Sequence, residues 1–209
     1  MFFNDSKLSF RQSSGATTRK LIRLLEISRV TRNDKVDEEQ MKILGIDPGL
    51  QKTGWGIIES EGHKLSYVAS GLIKSTASKP LPERLAQLDA GMTEVLMRFN
   101  PDEAGIEETF VNNNSASSLK LGAARGVAMV VPARAGLVVG EYPANLVKKS
   151  VVGAGKAGKD QVMMMIKTLL PSSGDVTEDE ADALAVAICH AHHSMSNTLM
   201  GGKMIGAAR

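Results

Sequence analysis

The sequence predicts an α/β fold: a mixed five-stranded sheet flanked by helices on both faces. Three observations carry that expectation. From Met41 onward, three alternating apolar segments are separated by turn residues. Two later short apolar segments are each preceded and followed by stretches of helical period. No internal repeat points to a solenoid or to a duplicated domain.

Taken in order, KILGID and TGWGIIES read as strands joined by the PGLQK turn, and KLSYVASGLI as a third, making an antiparallel meander. Leu81, Leu85, Leu88, Met92, Leu96 and Phe99 recur at helical spacing, and Asn100-Pro101 stops that run. EAGIEE is a short buried strand. SASSLKLGAARGVAMVV is a second helix, expected to end at Pro132, and LVVGEY is a further strand. PANLVKKSVV, KDQVMMMIKTLL and EADALAVAICHAHH complete the set as three helices, with Met163, Met164 and Met165 expected to pack. The order β-β-β-α-β-α-β-α-α-α places parallel crossovers after the meander, which is the ribonuclease-H-like architecture. Residues 1–40 are mostly polar and charged, with one periodic piece near Thr17–Val30, and are expected to be a poorly ordered extension. Met41 is a candidate translation start. A single folded domain is expected over 41–194, and 195–209 as a flexible tail.

The 209 residues suffice for a substantial core, and 43% hydrophobic with 23% charged content is ordinary for a soluble protein. The single cysteine, Cys189, excludes an intramolecular disulfide. The sequence holds no apolar run of membrane-spanning length, and its first residues lack the order of a secretory signal. A cytoplasmic location is therefore expected. Net charge is only +2, but its distribution is uneven. Residues 109–167 hold Lys120, Arg125, Arg134, Lys148, Lys149, Lys156, Lys159 and Lys167 against Glu141 and Asp160, whereas 175–182 hold five acids and no base. A basic stretch can track phosphates and an acidic cluster can hold a divalent cation; solvated helix faces are the competing explanation.

Asp47 ends an apolar strand, where a carboxylate is costly unless paired, although an Asx turn before Pro48-Gly49 would also use it. Glu107 and Glu108 lie in another apolar strand, and alternation sends them to opposite faces, so the residues alone do not decide between them. Asp179 and Asp182 share a helix face. Thr177 and Glu180 fit a capping box, which also gives Asp179 a plain role beside the helix dipole. Asp182 sits in a segment apolar nearly all round and calls for a metal or a cation. Four such carboxylates can hold two Mg²⁺ ions, with Mn²⁺ as a substitute, for in-line attack on phosphorus. A zinc site at Cys189, His190, His192 and His193 lacks a second ligand cluster.

MKILGIDPGLQKTGWGII, IEETFVNNNSASSLKLGAARG, EYPANLVKKSVVGAGKAGKDQV and DEADALAVAICHAHH resemble, in order and spacing, the four signature blocks of RuvC-type crossover junction endodeoxyribonucleases, from Met41 to about His193. The resemblance implies a homodimer that makes Mg²⁺-dependent paired symmetric nicks in a four-way Holliday junction during recombination and repair. It also implies association with the RuvA–RuvB branch-migration complex. It puts the catalytic acids at Asp47, Glu107, Asp179 and Asp182, and catalytic lysines at Lys148 and Lys159. Phe110, Lys120, Arg125 and Lys149 join Lys148 and Lys159 as DNA contacts; Phe110 could otherwise cap the core, or stack on an unpaired base. Ala123 stands where the family usually has Gln, Gly158 where it often has Glu, and residues 1–40 have no family counterpart.

GIDPG also suits the phosphate loops of actin-like kinases, but those need a second domain and a second phosphate loop, and neither is present. A catalytically silent junction-binding module would need the bases without the acids.

Overall fold

Seven residues of nearly unbroken apolar character, MKILGID, form the central strand of the sheet. The structure, a computed structural model, describes residues 40–108 and 115–199, the last five as backbone alone. Phe110, nearly all of the expected N-terminal extension and residues 200–209 lie outside the described residues. Strand β1 (Met41–Asp47) pairs antiparallel with β2 (Lys52–Glu61), which pairs antiparallel with β3 (Lys64–Lys74). On its other side β1 pairs parallel with β4 (Glu103–Glu108), and β4 with β5 (Val138–Pro143). The sheet order is β3-β2-β1-β4-β5, the mixed arrangement the element order predicts.

Helices α1 (Leu81–Phe99) and α2 (Ser115–Arg134) cover one face, over Leu44, Ile46 and Ile57. Helices α3 (Ala144–Val152), α4 (Lys159–Leu169) and α5 (Glu178–Leu199) cover the other, over Ile43 and Ile58. Every residue from Ala183 to Cys189 is at most 1% exposed, because α5 lies between the sheet and the α3–α4 pair. Among the described residues, no helix is long and apolar enough to cross a membrane. Met163 and Met165 pack on the α5-side core, whereas Met164 is exposed.

Local signals explain most element ends. Asn100 takes a left-handed conformation (φ 46°) and its N–H donates to Leu96 O at 2.9 Å, closing α1 where expected. The capping box at the start of α5 forms: Thr177 N and Oγ1 both donate to Glu180 Oε2, at 2.8 and 2.6 Å. Two boundaries differ from expectation. Helix α2 runs through Pro132 to Arg134. Proline forfeits only its own bond to Ala128, the later carbonyls still find Ala135 and Leu137 N–H, and buried Val131 and Pro132 hold the last turn against the core. Helix α5 continues to Leu199, past His193, where the helical pattern of EADALAVAICHAHH was expected to end.

Two glycines set how closely α5 approaches the sheet. A Cβ at Gly45 would run into the Ala183 carbonyl and Ala187 backbone, and one at Gly54 into the Asp179 carbonyl. Gly45→Ala and Gly54→Ala should each lose about 1–3 kcal/mol in urea unfolding, from overpacking. An unchanged midpoint in both would show that α5 does not seat there.

Candidate active site

Alternation along β1 turns Ile43, Gly45 and Asp47 to the α5 side. The turn after Asp47 is closed by Thr53, whose hydroxyl donates to Gly49 O at 2.7 Å and accepts from Gly49 N–H at 3.3 Å. Asp47 is thereby spared the Asx role, and its carboxylate makes no hydrogen bond among the described residues. On β4, Gly105 faces Val186 and His190 of α5, so Glu107, two residues on, also faces α5 and Glu108 faces away. The alternative left open by the sequence is decided by which strand face α5 covers.

Asp47, Glu107 and Asp182 line one cleft of about 230 Å³ together with Lys148 and Lys159, over a floor that includes Val147, Val162 and Ala185. Asp179 is outside that lining; it sits over Gly54, one helical turn before Asp182. Burial pushes the Asp47 carboxyl up to about 8, reinforced by the charges of Glu107, Asp182 and Asp179 and opposed by Lys159. Glu107 is pushed up to about 7 by burial and by Asp182, against Lys148. Asp182 is raised chiefly by burial, against both lysines. The three carboxylates share one field without forming a closed cage: among the described residues no three metal-ligating side chains are gathered tightly enough to hold an ion as placed. The field is the more telling of the two, since carboxylate rotamers adjust readily whereas burial of like charge does not. Hard oxygen donors that cannot all ionise alone are a chemical fit to a hard divalent cation.

Other predicted positions fall outside the cleft. Lys120 and Lys149 are exposed, on α2 and α3. Arg125 is half-buried; its guanidinium pairs with Glu141, and its Nε points to the Glu107 carbonyl at 3.5 Å, which ties α2 to the ends of β4 and β5. Lys159 lies at the first position of α4 and pairs with Glu178 at the start of α5. The Cys189–His193 segment does not converge on a point: His190 bonds Glu103 and Tyr142, and His193 Nδ1 is 2.8 Å from the Cys189 carbonyl.

Sequence reasoning missed Lys52 and Lys74. They are directly opposed across β2 and β3, exposed, and without an ion pair among the described residues. Like charges directly opposed cost stability, and they lie at the sheet end where Asp47 emerges. Hairpin pairing read outward from the PGLQK turn could have found Lys52; Lys74 needed the register.

The chain matches the family described as crossover junction endodeoxyribonuclease RuvC over residues 43–190. It belongs to the RuvC family. Its RuvC relative in Paramagnetospirillum magneticum is 62% identical over 153 residues, covering 73% of this chain and 92% of the relative. The RuvC of Azorhizobium caulinodans is 60% identical, covering 73% and 90%. Among solved structures, T. thermophilus RuvC in complex with Holliday junction substrate aligns with a TM-score of 0.70 at 32% identity, over 76% of this chain and 97% of that one. The yeast mitochondrial Holliday junction resolvase Ydc2, with a TM-score of 0.54 and 12% identity over 80% of this chain and 87% of that one, shares the fold. RuvC proteins are metal-dependent crossover junction endodeoxyribonucleases, and the ribonuclease-H-like sheet is as expected for one.

The raised carboxyls fix the sign of a pH effect. A folded value of about 8 for Asp47, against an ordinary 3.8, means its favourable contribution is complete below the ordinary value and is lost as pH rises toward 8. In EDTA, Asp47→Asn should therefore be more stable than the wild type, by a margin that widens as pH rises from about 4 to 8 and then levels. Melting temperatures across that range test it. A margin constant with pH would mean that Asp47 is ionised throughout.

Proposed function

We propose that this chain resolves Holliday junctions as a homodimer, by paired symmetric nicks in the DNA strands during recombination and repair, with Mg²⁺ as the cation and Mn²⁺ able to replace it. The observation that carries this reading is the convergence of Asp47, Glu107 and Asp182 with Lys148 and Lys159 in one cleft. In the proposed mechanism Asp47, Glu107 and Asp182 hold the cation, with Asp179 supplementing them from the preceding turn of α5. When bound, two such ions activate water and stabilise the leaving oxygen of an in-line displacement. Because burial raises Asp47 and Glu107, a cation held there would have to displace their protons, and its binding would favour higher pH.

Lys148, half-buried on α3, bears on Glu107 and Asp182; Lys159, more exposed, bears on Asp47 and Asp182. Both are placed to stabilise charge developing on the phosphoryl oxygens. Lys159 must part from Glu178 to reach a phosphate, which costs little because the pair is exposed. The reading extends the DNA track through Lys120 and Lys149, with Phe110 beside the junction bases. Arg125, on the same track, ties α2 to β5 through Glu141 and to the end of β4 through the Glu107 carbonyl, and keeps further N–H donors that can meet a phosphate. Lys52 and Lys74 prolong the track on the far side of Asp47. The domain division at Met41, a cytoplasmic location and association with RuvA–RuvB belong to the same reading.

Two symmetric nicks need two sites. On α2, Leu119 and Val130 are 76% and 55% exposed, and Gly122 and Gly126 fall between them on the same face. A second copy of α2 can pack closely over such a stripe. Leu119→Asp with Val130→Asp should yield a monomer by sedimentation that nicks one strand without a paired second cut. A dimer of unchanged affinity would put the interface elsewhere.

Single-turnover cleavage of a synthetic four-way junction, with duplex DNA as control, tests the chemistry. Asp47→Asn, Glu107→Gln, Asp179→Asn and Asp182→Asn should each abolish cutting in Mg²⁺ and keep junction binding in Ca²⁺. Lys148→Ala and Lys159→Ala should slow cutting at saturating protein with little change in binding. Lys120→Ala should only weaken binding, flattening the log–log salt dependence by about one. An acid variant that cuts at the wild-type rate is not part of the site.

A further inference from the structure

His190 is 3% exposed, deep between α5 and the sheet, yet it is fully engaged by polar partners. Its Nε2 lies 2.7 Å from Glu103 Oε2 on β4, and its Nδ1 lies 2.9 Å from the Tyr142 hydroxyl on β5. Ser194 Oγ donates to the same Glu103 oxygen at 2.8 Å. The hydrogen bond from His190 holds the Glu103 carboxyl below the usual range, so Glu103 is an acceptor and Nε2 carries the proton it donates. Room for the imidazole is made by glycines on two neighbouring strands. A Cβ at Gly105 would sit 3.0 Å from His190 Cβ, and one at Gly140 would sit 2.9 Å from its Nδ1 and 2.7 Å from the Tyr142 oxygen. An apolar side chain could fill such a place without the cost of desolvating a carboxylate and an imidazole.

The two elements joined here are the ones that carry Glu107 and Asp182. On α5, Asp182, Val186 and His190 follow at intervals of four along one face, and His190 lies about 12 Å from Asp182 at the helical rise of roughly 1.5 Å per residue. On β4, Glu103, Gly105 and Glu107 share a face, and Glu103 lies about 13 Å from Glu107 at roughly 3.3 Å per residue. The elements run in opposite directions, with His190 against Glu103 at one end and Asp182 beside Glu107 at the other. Two rods of nearly equal length are pinned at one end and meet as carboxylates at the other. A slip of one strand residue moves a side chain by about 3.3 Å, while a cation site must hold its ligands to within roughly 0.5 Å.

We propose that His190 is a positioning residue: bound to Tyr142 and to Glu103, whose carboxylate Ser194 also holds, it pins the register of α5 on β4 and so sets the Asp182–Glu107 separation on which cation binding depends. The inference rests on the acid cleft being a cation site, so that premise is measured first. Mn²⁺ alone is titrated into metal-free protein, read by calorimetry and by the rise in melting temperature, for the wild type and for Asp182→Asn. Wild-type binding that is lost in Asp182→Asn supports the cleft; no wild-type binding, or equal binding in Asp182→Asn, overturns the cleft reading and this inference with it.

The pin is then tested by His190→Leu/Glu103→Leu, which replaces the polar pair with an apolar one, and by Glu103→Gln, which keeps an acceptor for Nε2. The double variant should melt in EDTA at or near the wild-type temperature, yet bind Mn²⁺ about tenfold more weakly. Glu103→Gln should keep the wild-type Mn²⁺ affinity. Tyr142→Phe and Ser194→Ala each remove one hydroxyl from the network with little change in volume and should weaken Mn²⁺ two- to threefold, which keeps the test open if the double variant does not fold. Wild-type Mn²⁺ affinity in the double variant, or in both hydroxyl variants should it not fold, overturns the pin.

Discussion

The close seating of α5 on β1 and β2 is the constraint on which the rest depends. Gly45 and Gly54 leave no side chain between strand and helix, so the Ala183 and Asp179 backbones lie directly on the sheet. That contact buries the middle of α5 completely and carries Asp179 and Asp182 to the end of the strand where Asp47 emerges. A larger side chain at either glycine would lift the helix and draw the acids apart. The apolar length of α5 and the small residues facing it are thus one device: the helix can be buried only where the strands let it approach.

The same seating creates a local instability. Three carboxylates converge in a cleft with an apolar floor, and burial raises all three above their ordinary values. In the absence of a cation, the folded domain near neutral pH must retain protons that the unfolded chain would release, and folding is the weaker for it. Lys148 and Lys159 offset part of that cost, and Lys159 divides its charge between the cleft and Glu178.

Around that cleft, polar side chains act as braces. Arg125 joins α2 to Glu141 and to the backbone of Glu107, and Thr53 closes the turn that would otherwise have engaged Asp47. His190 and Glu103 join α5 to β4. Each leaves an acid free of internal hydrogen-bonding duties while limiting where it can move, which is what a site for an exchangeable ligand requires.

Element order and most boundaries were legible because they rest on local chemistry: two-residue alternation in β1 to β3, helical spacing in α1, the Asn100 stop, and the Thr177–Glu180 cap. Pro132 misled because packing of Val131 and Pro132 outweighed a single lost hydrogen bond in a final turn. The four signature blocks pointed to Asp47, Glu107 and Asp182, which the fold brings into one cleft, and Asp182 stood out as a charge in a segment apolar nearly all round. Glu107 could not be separated from Glu108 locally, since both lie in the same strand and only the covering helix distinguishes its faces. The pairing of Arg125 with Glu141 was not visible locally, because the two lie on different elements; Lys52 and Lys74 became neighbours only through strand register. The sequence by itself determined which segments fold and which residues carry charge, because those follow from side chains a few positions apart. Tertiary structure alone decided which charges neutralise one another and which are left facing the cleft, because that depends on residues brought together from distant parts of the chain.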